Sequence, residues 1–343
     1  MEQTHAQNIK NVCESLLCRL NIPYQIVETD PAFYADCRAA AIERGIPLDG
    51  ENSLGRFFHT GVDLAAIVYG HLEYDTKIYV ALWGATAAAC EDTCNNDIDL
   101  LKDFCHRYVK GIKHDHPLVD AYDSLLRELP KYFEPFAAET LLQSGMEFFV
   151  GLVWEYELQK NPITCAKGFP VFMKNLAGLS RMCAMLIFPR GISLRSYMEA
   201  IPDCMTYVNV INDIFSLYKE ELANESINFV STMAKSSGKT KIEVIQQLAD
   251  ETIETCNAVT SVLSDSPEAL DAFQKFTRGY VYFHIANKRY KIADLWAACS
   301  KEQPVTLSRA EPESWPLVVT AGKQILASGA QVLGWIGLPS FWN

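Results

Sequence analysis

Apolar and polar residues alternate with the period of a helix over most of the chain. The stretch KIEVIQQLADETIETCNAVTSVL carries apolar side chains at i, i+4 and i+7, which predicts a long amphipathic helix. Similar spacing predicts helices in NIKNVCESLLCRL, AFYADCRAAAIERG, LGRFFHTGVDLAAIVYG, DIDLLKDFCHRYVKGI and LVDAYDSLLREL. TKIYVALWGATAAACED is nearly all apolar and ends in acid, and MTYVNVINDIFSLYKE reads as a buried helix. Two more helical runs are PFAAETLLQSGMEFFVGLVWEYELQ and FPVFMKNLAGLSRMCAMLIF. Ser266-Pro267-Glu268 predicts the start of the last long helix, with Ser266 as N-cap and Pro267 in the first turn. Neither β-alternation, a hairpin dipeptide, a repeat nor a low-complexity linker interrupts this pattern. The expected fold is all-α, one bundle of about ten helices over residues 1–300. Beyond Lys301 come Pro304, Pro312, Pro316 and the apolar end GWIGLPSFWN. Residues 301–343 are expected to form an irregular cap on the bundle, or to be partly disordered.

The 343 residues suffice for a sizeable core. The net charge of −12 supplies no global basic footprint for nucleic acid, so an anionic substrate needs local cations or bound metal. The apolar runs fall short of a membrane span, and MEQTHAQNIK has no apolar signal region. Eleven cysteines, an odd number with no C-x-x-C pair, read as reduced core residues of a cytoplasmic protein.

Three stretches carry chemistry beyond packing. In NDIFSLYKEE, Asn212, Ser216 and Glu220 recur at four-residue steps and so share one helix face. Val208, Val210, Ile211, Ile214, Phe215 and Leu217 leave little room for an ordinary solvated stripe there. An amide carbonyl, a hydroxyl and a carboxylate are the oxygen ligands that a hard cation such as Mg²⁺ accepts. In CEDTCNND, Glu91 and Asp92 close an apolar helix and oppose its macrodipole, a cost that a cation would offset; the plain alternative is a polar loop. In HIANKRY, Arg289 and Tyr290 supply donors suited to phosphate; the plain alternative is a snorkelling basic pair. Lys219 adds another possible phosphate partner. Taken together, acids from two helices, basic donors from a third and aromatic walls between them suit a diphosphate held by metal over an apolar cavity.

With those residues in hand, N-D-I-F-S-L-Y-K-E closely resembles the second metal motif of class I terpene synthases, in the form seen in the fungal trichodiene synthase family. The K-R-Y of residues 288–290 resembles that family's basic motif, and FFVGLVWEYE and FPVFMKNLAGL resemble its central helices. The likeness runs from about residue 60 to about residue 300. It implies an α-helical terpenoid fold around an apolar cavity. It further implies Mg²⁺-dependent ionisation of farnesyl diphosphate, with three ions, and cyclisation to a sesquiterpene, macrocyclic of the humulene type or polycyclic. Asn212, Ser216 and Glu220 match the ligands of one ion, and Lys219, Arg289 and Tyr290 match diphosphate donors. Glu91 and Asp92 match the first two acids of the aspartate-rich motif, which binds two further ions or pairs with the basic motif. Lys174 stands where the family has a diphosphate-sensing Arg, keeping the charge and losing the bidentate fork. Asn95 stands where a further Asp is usual, with Asp97 two residues on. Trp83 and Phe215, each within about two turns of a metal motif on its own helix, are the aromatic faces favoured for stabilising a passing cation. Dimers occur on this fold. A catalytically impaired relative that binds a prenyl diphosphate is the main alternative; a chain-elongating enzyme would need two full D-D-x-x-D motifs.

Overall fold

The computed structural model describes residues 3–94, 97–160, 166, 168–225 and 227–299. Asn95 and the segment 301–343 therefore lie outside the described residues. Fourteen α-helices and no β-strand are present among those described. In chain order they are α1 (Gln3–Arg19), α2 (Pro31–Glu43), α3 (Arg56–Asp63), α4 (Tyr74–Cys94), α5 (Phe104–Lys110), α6 (Pro117–Tyr132) and α7 (Pro135–Lys160). Then follow α8 (Phe169–Ala177), α9 (Ser180–Met185), α10 (Ile201–Leu222), α11 (Phe229–Ser237), α12 (Lys241–Val262), α13 (Pro267–Ala286) and α14 (Ile292–Cys299). No helix among the described residues is long and apolar enough to cross a membrane.

The central elements are the ones whose sequences are apolar on most faces. Along α4, Tyr79, Val80, Ala81, Leu82, Trp83 and Ala85 are buried. Thr86, also buried, satisfies its hydroxyl by donating to the Leu82 carbonyl at 2.7 Å. Such a helix gains about 1.5–3 kcal/mol for each large apolar side chain withdrawn from water, and it packs on α3, α6 and α7. Next to α10 lie α8, α9, α12 and α13.

Four expectations about the elements are corrected. The run DIDLLKDFCHRYVKGI is not one helix: Asp97 accepts from the Asp99 N–H and starts a 3₁₀ turn, Ile98–Leu100, and α5 begins only at Phe104. The run FPVFMKNLAGLSRMCAMLIF breaks into α8 and α9 because Leu179 takes the left-handed region, φ 52°. A helix absent from the periodicity, α11, forms between an Asn228 cap and Gly238. Ser266 stands at the N-cap of α13 as expected, but its side chain makes no capping hydrogen bond. The cysteines described are free thiols, and Cys18 is exposed rather than part of the core.

The break between α8 and α9 seats the one basic residue of α8 that matters below, Lys174. A Cβ on Gly151 of α7 would lie 2.6 Å from Ala177 Cα, and one on Gly178 would lie 2.4 Å from the Lys174 carbonyl oxygen. Real Cβ atoms do not approach backbone so closely, so Gly151 lets α8 lie directly on α7, and Gly178 lets the chain turn tightly against the last carbonyls of α8.

Candidate active site

The oxygen-bearing stripe of α10 does not face open water. Ser216 is 2% exposed and Asp213 5%, while Val208, Ile211, Ile214, Phe215 and Leu217 fill the core on the other faces. Across from the stripe stands Lys174. Its Nζ donates to Asp213 Oδ1 at 2.6 Å and to Asn212 Oδ1 at 3.1 Å. Burial alone would push the Lys174 ammonium down, but Asp213, Glu220 and Glu155 outweigh it and hold its pKa above the ordinary lysine range. Burial pushes the Asp213 carboxyl up to about 6 while Lys174 pulls it back, so the two form an ion pair at neutral pH. Lys219 Nζ donates to Glu220 Oε1 at 3.2 Å.

Behind Asn212 lies His284 of α13, with no exposed surface. Its Nδ1–H donates to the Tyr280 carbonyl at 2.7 Å, and Asn212 Nδ2 lies 3.4 Å from its Nε2. Burial pushes its pKa down to about 3, so the ring is neutral. Tyr290 lies tilted against it, with ring centroids 4.3 Å apart.

The acids that close α4 meet the basic motif. Arg289 Nη2 donates to Glu91 Oε2 at 3.5 Å, and Arg56 Nη2 donates to Asp92 Oδ1 at 2.9 Å. These two guanidinium groups offset the cost of acids at a helix C-terminus. Glu91 is the main reason that the pKa of Arg289 lies above its ordinary value. The turn that carries Arg289 is fixed by Asn287, whose Oδ1 accepts from the Arg289 N–H at 3.0 Å while its Nδ2 donates to buried Asp63 at 3.0 Å. Burial keeps the Tyr290 hydroxyl protonated, its pKa well above the usual tyrosine value.

One electrostatic cluster thus joins the motif residues. Glu220 and Glu155 act on Lys174, Glu91 and Lys174 act on Glu155, and Arg289, Glu91 and Glu220 act on Tyr290. Burial, then the charge of Glu91, pushes the Glu155 carboxyl up to about 7, with Lys174 pulling the other way. No group of three or more His, Cys, Asp or Glu among the described residues is gathered closely enough to hold a metal ion. A cation here would rely on the Asn212, Ser216 and Glu220 oxygens together with substrate oxygens and water, a donor set that fits a hard divalent ion. Ser216 Oγ makes no hydrogen bond among the described residues, so it is chemically free to ligate.

One sequence expectation sits elsewhere in the geometry. Asp97 spends its carboxylate on a local turn, and its charge falls on His116. Trp83 and Phe215 are both fully buried, and Phe215 lies 5.9 Å from the His284 ring. Trp154 is 45% exposed and rests on Phe172, and Phe149 stacks on Phe104 at 3.9 Å, so neither is bound to the cluster. A recess of about 470 Å³ beside Arg44, His114 and Glu128 contains none of the motif residues. Reading the sequence missed Asp213, Glu155, Asn287 and His284 as parts of the site. Asp213 is the second letter of N-D-x-x-S-x-x-K-E and His284 the first of HIANKRY, so both were in view without a partner to give them meaning.

Comparison with known proteins places the chain in a family. Residues 51–307 match the trichodiene synthase family. An alpha-cuprenene synthase of Coprinopsis cinerea is 33% identical over 293 residues, covering 84% of this chain and 90% of its own. The terpene synthase BipA of Cochliobolus sativus is 29% identical over 272 residues, covering 77% of this chain and 83% of its own. Among solved structures, the linalool/nerolidol synthase of Streptomyces clavuligerus in complex with 2-fluorogeranyl diphosphate superposes with a TM-score of 0.60 at 13% identity, covering 74% of this chain and 98% of that one, which shows the shared α-helical fold. The family match over most of the chain, the relatives at this identity and the meeting of both motifs at one site lead to one conclusion: the chain belongs to the trichodiene synthase family and is a terpene synthase, a lyase.

Proposed function

We propose that the protein is a sesquiterpene synthase that ionises farnesyl diphosphate with Mg²⁺ and cyclises the resulting cation, releasing diphosphate. The observation that carries this reading is the convergence of three oxygen donors on one face of α10 with Lys174, Arg289 and Tyr290. A diphosphate ester needs that pairing of hard-cation ligands and fixed donors. The solved relative with a fluorinated geranyl diphosphate in its complex makes a prenyl diphosphate the natural ligand class.

Asn212, Ser216 and Glu220 would hold one Mg²⁺, and Glu91 and Asp92 would offer carboxylates toward further ions, three in all by family resemblance. When bound, Mg²⁺ supplies positive charge that stabilises the departing diphosphate. The chain's own part is to donate to the same oxygens. Lys174 has three N–H bonds and uses two on Asn212 and Asp213, so it can turn one toward a phosphate oxygen. Arg289 brings a fork of donors, and Tyr290 a hydroxyl that burial keeps protonated. Once the C–O bond breaks, the allylic cation must be kept from water. Phe215 and Trp83, the aromatic residues on the two motif helices, are the candidates to stabilise positive charge without acting as nucleophiles.

The test is incubation with farnesyl, geranyl and geranylgeranyl diphosphate, with Mg²⁺ or with chelator, followed by hydrocarbon analysis and a diphosphate assay. A terpene formed from farnesyl diphosphate only when Mg²⁺ is present is the expected result, and it names the product. Tight binding of the substrates without release of diphosphate would instead make the chain a binding relative, and preference for another chain length would replace the substrate.

A further inference from the structure

Asn212 is useful to a cation only if its carbonyl oxygen, not its NH₂, points at the ion. An amide can flip by half a turn, and the two ends are nearly the same shape. The structure removes that freedom with two neighbours of fixed chemistry. On one side, Lys174 Nζ lies 3.1 Å from Oδ1; an ammonium has donors only, so the atom facing it is the oxygen. On the other side, His284 Nε2 lies 3.4 Å from Nδ2.

The tautomer of His284 settles the second contact. Its Nδ1 is 2.7 Å from the Tyr280 carbonyl oxygen, which can only accept, so Nδ1 carries the proton. Because Lys174 takes the Asn212 oxygen, the end that faces Nε2 is an NH₂, which donates, so Nε2 presents a lone pair. Only the NH₂ end of Asn212 can face it. With no exposed surface on His284, water has no access to take over this role. The result is an ordered chain of donors: Lys174 to the Asn212 carbonyl, the Asn212 NH₂ to His284 Nε2, and His284 Nδ1–H to the Tyr280 backbone.

We propose that His284 is a positioning residue for the metal site: its Nε2 holds the NH₂ end of Asn212 and so keeps the Asn212 carbonyl oxygen aimed at the cation. This rests on the reading of Asn212 as a metal ligand. Partners that orient a ligand in this way are commonly worth 10–100-fold in metal affinity. The Lys174 contact can be given up when a cation arrives; the His284 contact lies behind the amide and persists.

Three substitutions separate this role from packing. His284→Phe keeps a ring among Tyr280, Phe283 and Tyr290 and loses both nitrogens. His284→Gln reaches the place of Nε2 with an acceptor. His284→Asn reaches only the place of Nδ1, so it serves Tyr280 and leaves Asn212 without a partner. The first readout is the rise in Tm that Mg²⁺ and inorganic diphosphate produce together, as a function of Mg²⁺ concentration. The second is the Mg²⁺ concentration for half-maximal product release. His284→Phe and His284→Asn are expected to need about 10-fold more Mg²⁺ or beyond in both assays, and His284→Gln to stay within about threefold of the parent. Equal Mg²⁺ dependence of the Asn and Gln variants, or no change in the Phe variant, overturns the proposal. The unsubstituted protein gives a check that no folding defect can cloud: ¹⁵N NMR of the imidazoles should show His284 as the Nδ1–H tautomer, and an Nε2–H signal overturns the proposal too. If the unsubstituted protein neither makes a terpene nor is stabilised by Mg²⁺ with diphosphate, the proposed function fails first, a different result from unequal variants of an active enzyme.

Discussion

The two acidic sides of the site are built differently. On the α10 side, Lys174 and Asp213 meet at 2.6 Å with side chains only 19% and 6% exposed. On the α4 side, Arg289 and Glu91 meet at 3.5 Å with side chains 35% and 48% exposed, and Arg56 and Asp92 at 2.9 Å with 75% and 44%. Buried charges are restrained by every neighbour, whereas exposed pairs contribute little and exchange partners readily. The α10 side is thus preorganised by the fold, and the α4 side is adjustable and free to rearrange around an incoming diphosphate. This bears on the departures at Glu91 and Lys174: a longer acid is easily absorbed on the adjustable side, while Lys174 must be matched to its buried surroundings.

The largest effect should come from breaking the rigid side. Lys174→Met leaves Asp213 as a buried carboxylate without its cation, and Asp213 Oδ2 has no hydrogen-bond partner among the described residues to begin with. A loss of about 3–5 kcal/mol of stability in chemical denaturation is expected. Adding Asp213→Leu should return most of that stability, because an apolar pair can replace a buried ion pair. Product formation should stay about 10²-fold down in the double variant, since a donor to the diphosphate is gone. Recovery of both stability and activity would mean that Lys174 only neutralises Asp213, and the contrast between the two sides would lose its catalytic meaning.

How this side was legible in the sequence explains what was missed. Asn212, Ser216 and Glu220 are local: one helix and one spacing carry the signal, and the fold class follows likewise from helical periodicity. Lys174 and Asp213 are 39 positions apart, and Asn212 and His284 are 72 apart. No local pattern encodes such a meeting; Lys174 was reached only through family resemblance, and His284 was not reached at all. The break at Gly178–Leu179 was hidden for a related reason. Apolar spacing runs through it, and a Leu in the left-handed region is a tertiary requirement, not a propensity.

A middle-sized effect is expected on the adjustable side. Glu91→Gln removes half of the Arg289 pair, yet stability should fall by less than about 1 kcal/mol, as for an exposed bridge. Activity should fall about 10–100-fold if Glu91 reaches a metal ion or holds Arg289 for the diphosphate. Among the described residues Arg56 meets Asp92 and the ring of Phe57 at an exposed position, so the activity of Arg56→Ala should stay within about threefold of the parent. Comparing these two with Lys174→Met sharpens the contrast: stability should separate the two sides more cleanly than activity does. A Glu91→Gln variant as unstable as Lys174→Met would erase it.

The smallest effect belongs to Glu155, which stands between the two sides. Its pKa is raised to about 7, first by burial and then by Glu91. An acid whose folded pKa lies above its unfolded value holds its proton more tightly in the folded state, so ionising it costs stability as pH rises. The cost is absent below about pH 4.5, grows between there and about 7, and is complete above. Glu155→Gln removes the charge and nearly keeps the shape. The variant should therefore match the parent in Tm near pH 5 and exceed it at pH 8. Protein crowds Glu155 on most sides, yet by surface area it is exposed, so water screens part of the penalty and the gain should be small. Thermal melts at the two pH values check the sign. A variant less stable than the parent at pH 8 would mean that the Glu155 carboxylate is held by Lys174 rather than repelled by Glu91. It would then belong to the rigid side of the site.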